Sequence, residues 1–491
     1  MDETQPLLQD NCLIYNEQQG EVSTKDIVDF DPSGDPENPL EWPTTYKWGI
    51  VALLAFMSFT VTFTCISVVP VANRIVNDLD HGRSSKSASV LLVTIWELGE
   101  AAGPLFIAPL SEVFGRYPVM NGANLLFVAA TVLAALCQST PLFIAARALT
   151  GLAVASNVLN PAIVGDMFVS EQRGSAMSLI VLAPLLGGAI GPAISGAIAE
   201  TLGWRQVIWM SAILAIICET IFLTCFRETY KVAVLRRRAA KLRLETGNPL
   251  LKTIFDAADT SRVRLILDAA MRPFMVLAGS GVLQALSLLG SLVFAFFYFL
   301  STTLPDILEE RYGLSPAATG SSLIMFSAGS TISVIFCNFA LDRLYVKLRD
   351  VHGGVGQPEY RLPLLILGAF TLPFAIALYG WIARWHLPLP ILLICVAMVG
   401  ITLMLGFLPL HAYVVDAFGL YAASGMTAVI VTRALMGTFL PLTAEPLVEK
   451  FDYGWGFTIL GAVNLSLAPI PIFVYRYGSI WRQRSKYTRE A

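Results

Sequence analysis

The chain contains twelve separated apolar runs, each long enough to cross a lipid bilayer as a helix. A helix rises about 1.5 Å per residue, so about 20 residues cover the ~30 Å hydrocarbon layer. Backbone in lipid must satisfy its own polar groups, and runs of this length do so as helices. The sequence therefore predicts an all-α polytopic membrane protein with 12 transmembrane helices, at 48–72, 89–109, 118–138, 140–162, 176–199, 206–226, 273–302, 317–340, 362–383, 389–415, 420–444 and 455–476.

Composition excludes several other classes of protein. Of 491 residues, 55% are hydrophobic and 14% are charged, whereas soluble domains carry about a quarter charged residues. A net charge of −3 gives no basic surface for a nucleic acid, so no nucleic-acid partner is expected. The seven cysteines and four histidines have neither CxxC nor metal-ligand spacing, so we expect no metal and no cofactor. An enzyme buried in the membrane is disfavoured for the same reason.

Basic residues orient the chain and divide it. With a cytoplasmic amino terminus, 24 Lys and Arg residues lie on that side and 7 on the other, which fits the positive-inside rule. Two six-helix halves joined by a cytoplasmic connector are typical of transporters with alternating access. We predict a disordered cytoplasmic N-terminal tail (1–47), an N-terminal half (48–226), a linker loop (227–272), a C-terminal half (273–476) and a cytoplasmic tail (477–491).

The linker contains a basic cluster. We expect this segment to be a solvated amphipathic connector lying against anionic headgroups. The cluster comprises Arg236, Arg237, Arg238, Lys241 and Arg243.

Two acidic residues inside the second span are the leading candidates for chemistry. Glu97 and Glu100 are three residues apart and share a helix face. Because two neighbouring carboxylates in low dielectric do not both ionise cheaply, one is expected to hold a proton near neutral pH. The pair is therefore a candidate proton carrier, with a structural hydrogen bond to another helix as the alternative. Arg147 in the fourth span is the candidate partner of these glutamates.

Other polar residues in apolar spans allow two interpretations each. Arg433 binds an anionic group or braces backbone carbonyls, and Glu219 favours a structural role. Gln284, His411 and Tyr413 line a substrate cavity or are packed and hydrogen-bonded.

The fifth span carries a ridge of small residues at positions 183, 187, 191 and 195. Such a ridge permits close approach of a second helix. Pro192 removes a backbone donor and allows a bend.

The segment from Gly103 to Arg116 ends with an acid, Glu112, shortly before Gly115 and Arg116. In this it resembles the loop motif of the major facilitator superfamily, with Glu112 at the acidic position. Together with several further motifs, the chain resembles that superfamily and, within it, the fungal twelve-spanner drug:proton antiporter family. The resemblance implies that this acid and arginine help to latch the cytoplasmic side. Tyr117 stands where relatives carry a second basic residue.

Three further matches concern coupling and direction. Residues 146–151 resemble the fourth-helix motif, whose arginine, here Arg147, is implicated in proton transfer. Asp166 and Arg173 resemble the charged pair that follows and are expected in the cytoplasmic gate. The resemblance to the antiporter motif implies export and rests on Gly187, Gly188, Gly191, Pro192 and Gly196.

Some stretches resemble the fungal branch specifically, namely 35–48, 228–248, 342–362 and 413–433. The chain departs from this branch at one position. Many relatives carry an acid–proline pair early in the seventh span. This chain has Ser280-Gly281 there, so we expect Glu97 and Glu100 to supply the missing acid.

The resemblance implies a major facilitator fold and a proton-coupled antiporter that exports small organic molecules, drugs or secondary metabolites, as in multidrug resistance. The expected partners are a small-molecule substrate, protons and the lipid bilayer, and the chain is expected to work as a monomer. The alternatives are a gradient-independent facilitator or exporter of an organic anion, and a non-transporting membrane sensor. The plasma membrane is the expected location; an acidic dileucine-like stretch, residues 3–8, leaves the vacuolar membrane open.

Overall fold

A computed structural model of the chain describes residues 27–31, 34–80, 85–248, 251–253, 255 and 262–488. The dileucine-like stretch lies outside the described residues. The described part is almost entirely helical. Its helices are α1 Thr44–Ile66, α2 Ala72–Leu79, α3 Lys86–Phe114, α4 Arg116–Leu136, α5 Thr140–Leu152, α6 Ser156–Met167, α7 Ser170–Thr201, α8 Trp204–Cys225, α9 Lys231–Thr246, α10 Arg262–Ala278, α11 Gly281–Asp306, α12 Pro316–Ser322, α13 Ile324–Val351, α14 Leu362–Arg384, α15 Leu389–Phe418, α16 Ala422–Phe439, α17 Ala444–Leu467 and α18 Ile470–Gln483.

The predicted all-α membrane architecture is confirmed. Within the described residues, eleven helical segments are long and apolar enough to cross a bilayer. The last of them, Ala422–Arg484, has 63 residues, which is about three times the length of one span. It contains both the eleventh and twelfth predicted spans and is interrupted at Asp452, whose φ of 60° lies in the left-handed region. The count of twelve stays a prediction.

Helix pairing repeats between the two halves of the chain. In the first half α1 packs on α7, α3 on α5 and α4 on α8; in the second, α11 packs on α16, α13 on α15 and α14 on α17. In order of predicted spans, each pair of the second half is the pair of the first shifted by six. The halves meet where α3 packs on α16 and where α7 packs on α12 and α13.

The two ends of the bundle differ in what they carry. We call the end with Thr44, α9 and α18 the tail face, and the end with the α8 start and the α14 end the far face. Large apolar side chains such as Ile213, Phe339 and Phe374 are more than half exposed around the bundle. In a membrane protein these side chains contact lipid.

The seventh span begins later than predicted. The predicted span begins at 273, but in the structure α10 ends at Ala278 and α11 begins at Gly281. The Ser280 hydroxyl accepts a hydrogen bond from the backbone N–H of Leu283 (3.4 Å) and so caps α11. The apolar run therefore spans a helix break that hydropathy alone does not reveal.

Residues 27–31 and 34–47 differ from the predicted disordered tail of 1–47, whose residues 1–26, 32 and 33 lie outside the described ranges. A two-residue parallel ladder joins β1 (Ile27–Val28) to β2 (Lys252–Thr253) in the linker. Asp35, only 4% exposed, accepts a hydrogen bond from the Arg238 guanidinium. It also accepts from the backbone N–H groups of Glu37 (2.9 Å) and Asp31 (3.2 Å). We call residues 27–31 and 34–43 the amino-terminal strap.

Contacts of the strap change the pKa of Asp35. Burial on its own would raise the pKa of Asp35, but the hydrogen bond from Arg238, with the two backbone donors, outweighs burial and lowers the pKa below its usual 3.8.

The basic cluster of the linker therefore has protein partners. Arg237 and Lys241 keep more than half of their side-chain surface exposed in these contacts, so contact of the cluster with anionic headgroups stays a prediction. The contacts are Arg238 with Asp35, Arg237 with Glu228 (3.6 Å), Lys241 with Glu245 (3.8 Å), Arg243 with the Leu251 carbonyl (2.7 Å) and Arg236 with the Phe255 carbonyl (3.3 Å).

Candidate functional site

Glu97 and Glu100 lie on the side of α3 that faces the second half of the chain. Their spacing of three residues places both carboxylates on one helix face, and α3 packs on α16 there. Glu97 is 3% exposed and Glu100 is 9% exposed. Glu97 is eleven residues, or roughly 16 Å of helix, from the far-face end of α3 at Lys86. The pair is thus buried at depth between the halves.

Arg433 of α16 is the cation that neutralises this pair. Its Nη2 is 3.2 Å from Glu100 Oε1 and 4.0 Å from Glu97 Oε2. The arginine belongs to the second half of the bundle and the acids to the first. The ion pair therefore links the two halves near the middle of the interface.

The predicted partner, Arg147, has other contacts, and that prediction is wrong. Its Nη1 donates to the Thr64 carbonyl (3.0 Å) and its Nη2 to the Cys65 carbonyl (2.8 Å). The guanidinium also lies over the Trp96 ring at 4.6 Å. The reason is topological, since α5 carries Arg147 to the end of α1, where backbone carbonyls are the nearest acceptors.

Three further side chains bind the carboxylates, and the sequence did not point to them. Tyr298 of α11 donates its hydroxyl to Glu97 Oε1 at 2.8 Å. Asn157 of α6 donates to Glu100 Oε1 at 2.8 Å, and Trp96 Nε1 donates to Glu100 Oε2 at 3.3 Å. Tyr298 lies in an aromatic run that reads as helix packing, so no sequence signal marks it. We call Glu97, Glu100, Tyr298, Asn157 and Arg433 the inter-half network.

An aromatic cluster surrounds the Arg433 side of the network. The guanidinium lies over the Phe294 ring at 4.1 Å and the Phe407 ring at 5.6 Å. The His411 ring is 4.1 Å from that of Phe407. Of the predicted cavity residues, Arg433 and His411 are thus brought together.

The other two predicted cavity residues lie elsewhere. Gln284 donates to the carbonyls of Leu277 (3.0 Å) and Ala278 (3.2 Å), where it bridges the break before α11. Tyr413 is fully buried, and its charged neighbours are Glu359 and Arg482 at the tail face.

Three buried polar atoms in the network region have no hydrogen-bond partner. They are Glu97 Oε2, Arg433 Nε and His411 Nε2. A buried polar group without a partner costs about 1–3 kcal/mol. One acceptor, one donor and one imidazole nitrogen are therefore available for a partner that is not part of the described chain.

Between the network and the far face, polar contacts hold the halves together. Thr94 and Thr438 exchange hydrogen bonds, each hydroxyl donating to the carbonyl of the other residue at 2.9 and 3.3 Å. At the far face, the cross-half contacts are Asn73 with Asp306 (2.6 Å), Lys86 with Glu310 (3.4 Å) and Ser87 with Glu445 (3.0 Å). The far face is thus closed by direct contacts.

At the tail face the predicted gate residues form a different pairing. Arg116, not Arg173, lies against Asp166, with its Nε 3.4 Å from Oδ2. Arg173 instead donates to the carbonyls of Phe168 (2.9 Å) and Gly165 (3.0 Å), where it caps the end of α6. The expected Asp166–Arg173 pair is therefore wrong, because Arg173 reaches unsatisfied helix-end carbonyls first.

The remaining gate residues lie around Arg116. Gly115 has a φ of +100°, a conformation that favours glycine and turns α3 into α4. Glu228, beyond α8, accepts a hydrogen bond from the Arg116 backbone N–H at 2.8 Å. Glu112 is exposed, and the opposite charges that act on it are those of Arg116 and Arg272.

The second half contains the matching cluster at the tail face. Arg361, at the start of α14, contacts Asp342 of α13 and lies 2.9 Å from Asp416 Oδ2 at the end of α15. Arg116 stands at the matching start of α4, in contact with Asp166 of α6 and with the charge of Glu112 of α3 acting on it. The pseudo-symmetry of helix pairing therefore extends to charged residues.

The small residues of α7 are packing surfaces. A Cβ added at Gly187 would lie 2.8 Å from the Phe59 carbonyl of α1, and Gly191 faces Phe63 at 3.4 Å. Gly196 abuts the Pro316 carbonyl, and Pro192 offers its carbonyl to Gly320 of α12. Gly188 lies between α1 and Ser327 of α13. The ridge thus brings α7 against both its own half and the other.

In the described ranges, no group of three or more His, Cys, Asp and Glu side chains has the geometry of a metal site.

Comparison with known proteins gives consistent matches over the chain. The sequence profile of the Major Facilitator Superfamily matches residues 50–441. Efflux pump radE of Floropilus chiversii is 33% identical over 463 residues, covering 94% of this chain and 86% of the relative. MFS transporter cpaT of Aspergillus oryzae is 33% identical over 461 residues, covering 94% and 92%. The solved structure of the xylose transporter XylE from E. coli, in a partially occluded inward-open conformation, has a TM-score of 0.65 at 15% identity and covers 88% of this chain and 98% of its own.

Proposed function

This chain belongs to the major facilitator superfamily and is a membrane transporter, and from that premise we propose that it exports small organic molecules in exchange for protons. The carrying observation is the inter-half network, in which two buried glutamates of one half share an arginine of the other half and Glu97 also accepts a hydrogen bond from its tyrosine. Ionisable groups buried inside a membrane mark ion and substrate pathways. The efflux pump and transporters among the relatives support export as the direction.

The network supplies a physical reason for obligatory exchange. While the glutamates are bound to Arg433 and Tyr298, the halves are held together toward the far face. A proton on Glu97 or Glu100 weakens the ion pair, and a substrate that replaces Tyr298 or Arg433 does the same. Either ligand therefore permits reorientation, whereas the empty carrier stays locked. A transporter that reorients only with a proton or a substrate bound exchanges the one for the other.

The energy is sufficient for a neutral solute. One proton that crosses one pH unit and 100 mV releases roughly 3.7 kcal/mol. A hundredfold gradient of solute costs about 2.7 kcal/mol.

The membrane orientation, the closing of the cytoplasmic side and the oligomeric state belong to the same proposal. The tail face, which carries α9 and most basic residues outside the spans, is proposed to be cytoplasmic in the plasma membrane. The tail-face clusters of Arg116 and Arg361 are proposed to close that side when the far face opens. Because one chain contributes both sides of the network, we expect a functional monomer.

The same contacts argue against the alternative function, a facilitator of organic anions. Such a substrate needs an unengaged guanidinium, but Arg147 binds two backbone carbonyls. Arg433 is already shared by two carboxylates.

A vesicle assay separates these readings. Comparing the metabolites secreted by a deletion strain and its parent identifies an exported compound, whose uptake into inside-out vesicles is then followed with and without an imposed pH difference. Proton-driven uptake is expected to be lost in Glu97→Gln and Glu100→Gln and retained in Glu245→Gln, an exposed acid on α9. Undiminished uptake in both single variants and the double variant would remove the glutamates from the mechanism. Equal uptake without the pH difference would favour the facilitator.

A further inference from the structure

We propose that the inter-half network and its aromatic cluster form a subsite for neutral aromatic compounds that carry a hydroxyl donor and a carbonyl acceptor. The inference rests on the proposed transport function and names a substrate class for it. Three independent observations support it: the ring surface, the unpartnered polar atoms and the contact of Tyr298.

The ring surface is assembled from three helices of the second half. Phe294 of α11 stacks on Phe407 of α15, with centroids 5.5 Å apart and an interplanar angle of 25°. Phe297 of α11 meets Phe326 of α13 at 5.2 Å. Phe294 and Phe297 keep part of their surface exposed, and edge-to-face contact with a further aromatic ring would be favourable there.

The unpartnered atoms define the polar groups of the ligand. Arg433 Nε is a donor without an acceptor, and a carbonyl oxygen on the ligand would supply one. Glu97 Oε2 is an acceptor without a hydrogen-bond donor, and a hydroxyl would supply one. His411 Nε2, beside Phe407, can take either role. A ring system with one donor and one acceptor matches these requirements.

Tyr298 already shows how such a hydroxyl would bind. Its phenol lies beside Phe294, with ring centroids 5.8 Å apart, and donates to Glu97 Oε1 at 2.8 Å. It is an aromatic ring presenting a hydroxyl to the same carboxylate that the ligand would use. A phenol on Oε2 would share the charge of this carboxylate with Tyr298 on Oε1, so it competes with Tyr298 for that charge and weakens the hold of the second half on the first.

Charge disfavours an anionic compound. A substrate carboxylate would meet Glu97 and Glu100 in a buried site, where like charges are costly. With one of these two neighbouring carboxylates protonated, as expected in low dielectric, the network with Arg433 is neutral and gives a cation no net attraction. The site has an opening, because Asn157 is exposed although it binds Glu100 at the interface between the halves.

Proton exchange follows from the same contacts. Glu97 is faced by Glu100 on its own helix, Tyr298 on α11, Arg433 on α16 and Cys65 on α1. When Glu97 takes up a proton it loses acceptor strength toward a hydroxyl. The ligand is therefore expected to bind more weakly in acid, as an exchanger requires.

Three benzophenones of one size test the inference on the full chain in lipid nanodiscs. They are meta-hydroxybenzophenone, its methyl ether and its meta-carboxy analogue, and each photolabels the residues it contacts. We expect the hydroxyl compound to bind about tenfold more tightly than the other two, as for one hydrogen bond to a charged group. Its label should fall on the helices of the subsite, α3, α11, α13, α15 and α16, and its Kd should rise in acid. Empty nanodiscs correct for partition into lipid.

Variants supply the sharper comparison. Glu97→Gln should abolish both the preference for the hydroxyl compound and its pH dependence. Tyr298→Phe removes the internal competitor, so the Kd of the hydroxyl compound should fall about tenfold while that of the ether stays unchanged. Tyr413→Phe, which alters a buried tyrosine of α15 outside the network, should change neither.

Equal affinity for the hydroxyl compound and its ether would overturn this inference, as would labelling outside α3, α11, α13, α15 and α16 or an unchanged Kd in Tyr298→Phe. None of these results bears on proton-driven uptake of the secreted compound in vesicles. That assay, by contrast, can fail while the hydroxyl preference persists. The two proposals are therefore separately refutable.

Discussion

Replacing Arg433 by glutamine removes the cation of the inter-half network and keeps a polar side chain of similar reach. The two ion-pair distances, 3.2 Å to Glu100 and 4.0 Å to Glu97, correspond to about 5 and 4 kcal/mol at an effective dielectric constant of about 20. Removing one partner of a buried pair costs about 3–5 kcal/mol in practice. In Arg433→Gln the two acids are buried without a cation while the far face is closed, and they are hydrated when it opens. The variant should therefore favour the open far face.

A shift of about 3 kcal/mol changes the ratio of closed to open molecules roughly 150-fold. Spin labels at Ser87 and Glu445, which share a 3.0 Å hydrogen bond across the far face, report that ratio as a distance distribution. The labels require replacement of Cys12 and Cys225, the latter being the exposed cysteine among the described residues. We expect a short distance in the parent protein and a long one in Arg433→Gln.

The pH dependence and a triple variant test the reasoning behind this expectation. Acid neutralises Glu97 and Glu100, so the difference between the variant and the parent should shrink as pH falls. Glu97→Gln combined with Glu100→Gln and Arg433→Gln buries no uncompensated charge and should restore most of the short distance. If Arg433→Gln keeps the distribution of the parent at alkaline pH, the network does not hold the far face closed.

Three further predictions concern the scaffold. The pKa of Asp35 is lowered in the folded protein, so the contribution of Asp35 to stability is complete above about pH 4 and is lost as pH falls further. Hydrogen exchange in α9 should therefore rise below about pH 4 in the parent protein, and it should be raised at all pH values in Asp35→Asn. Gly196→Ala places a methyl group against the Pro316 carbonyl and should lower the melting temperature, whereas Gly122→Ala, with no atom within 4 Å of the added Cβ, should leave it unchanged or higher. Glu359→Gln breaks a buried two-point contact with Arg482, at 2.9 and 3.2 Å, and should cost about 3 kcal/mol, measured by thermal unfolding in detergent; an unchanged melting temperature would contradict the assigned burial.

Sequence by itself determined the class of protein and the approximate location of most of its spans. The reason is that the bilayer imposes a simple rule, since any segment that crosses it must be apolar for about 20 residues and must form a helix. Local spacing was equally informative, because residues three apart on a helix share a face whatever the fold. Glu97 and Glu100 could therefore be recognised as a pair before any tertiary contact was known.

Only the tertiary structure decided which groups meet that pair. Two arginines lie inside spans, and choosing between Arg147 and Arg433 requires knowing that α3 packs on α16, with the contacting residues more than 300 positions apart. Tyr298 has no distinguishing pattern in its aromatic run, and Arg173 was misassigned because helix-end carbonyls compete for it. Pairing across halves depends on the three-dimensional approach of helices, which hydropathy and spacing do not encode.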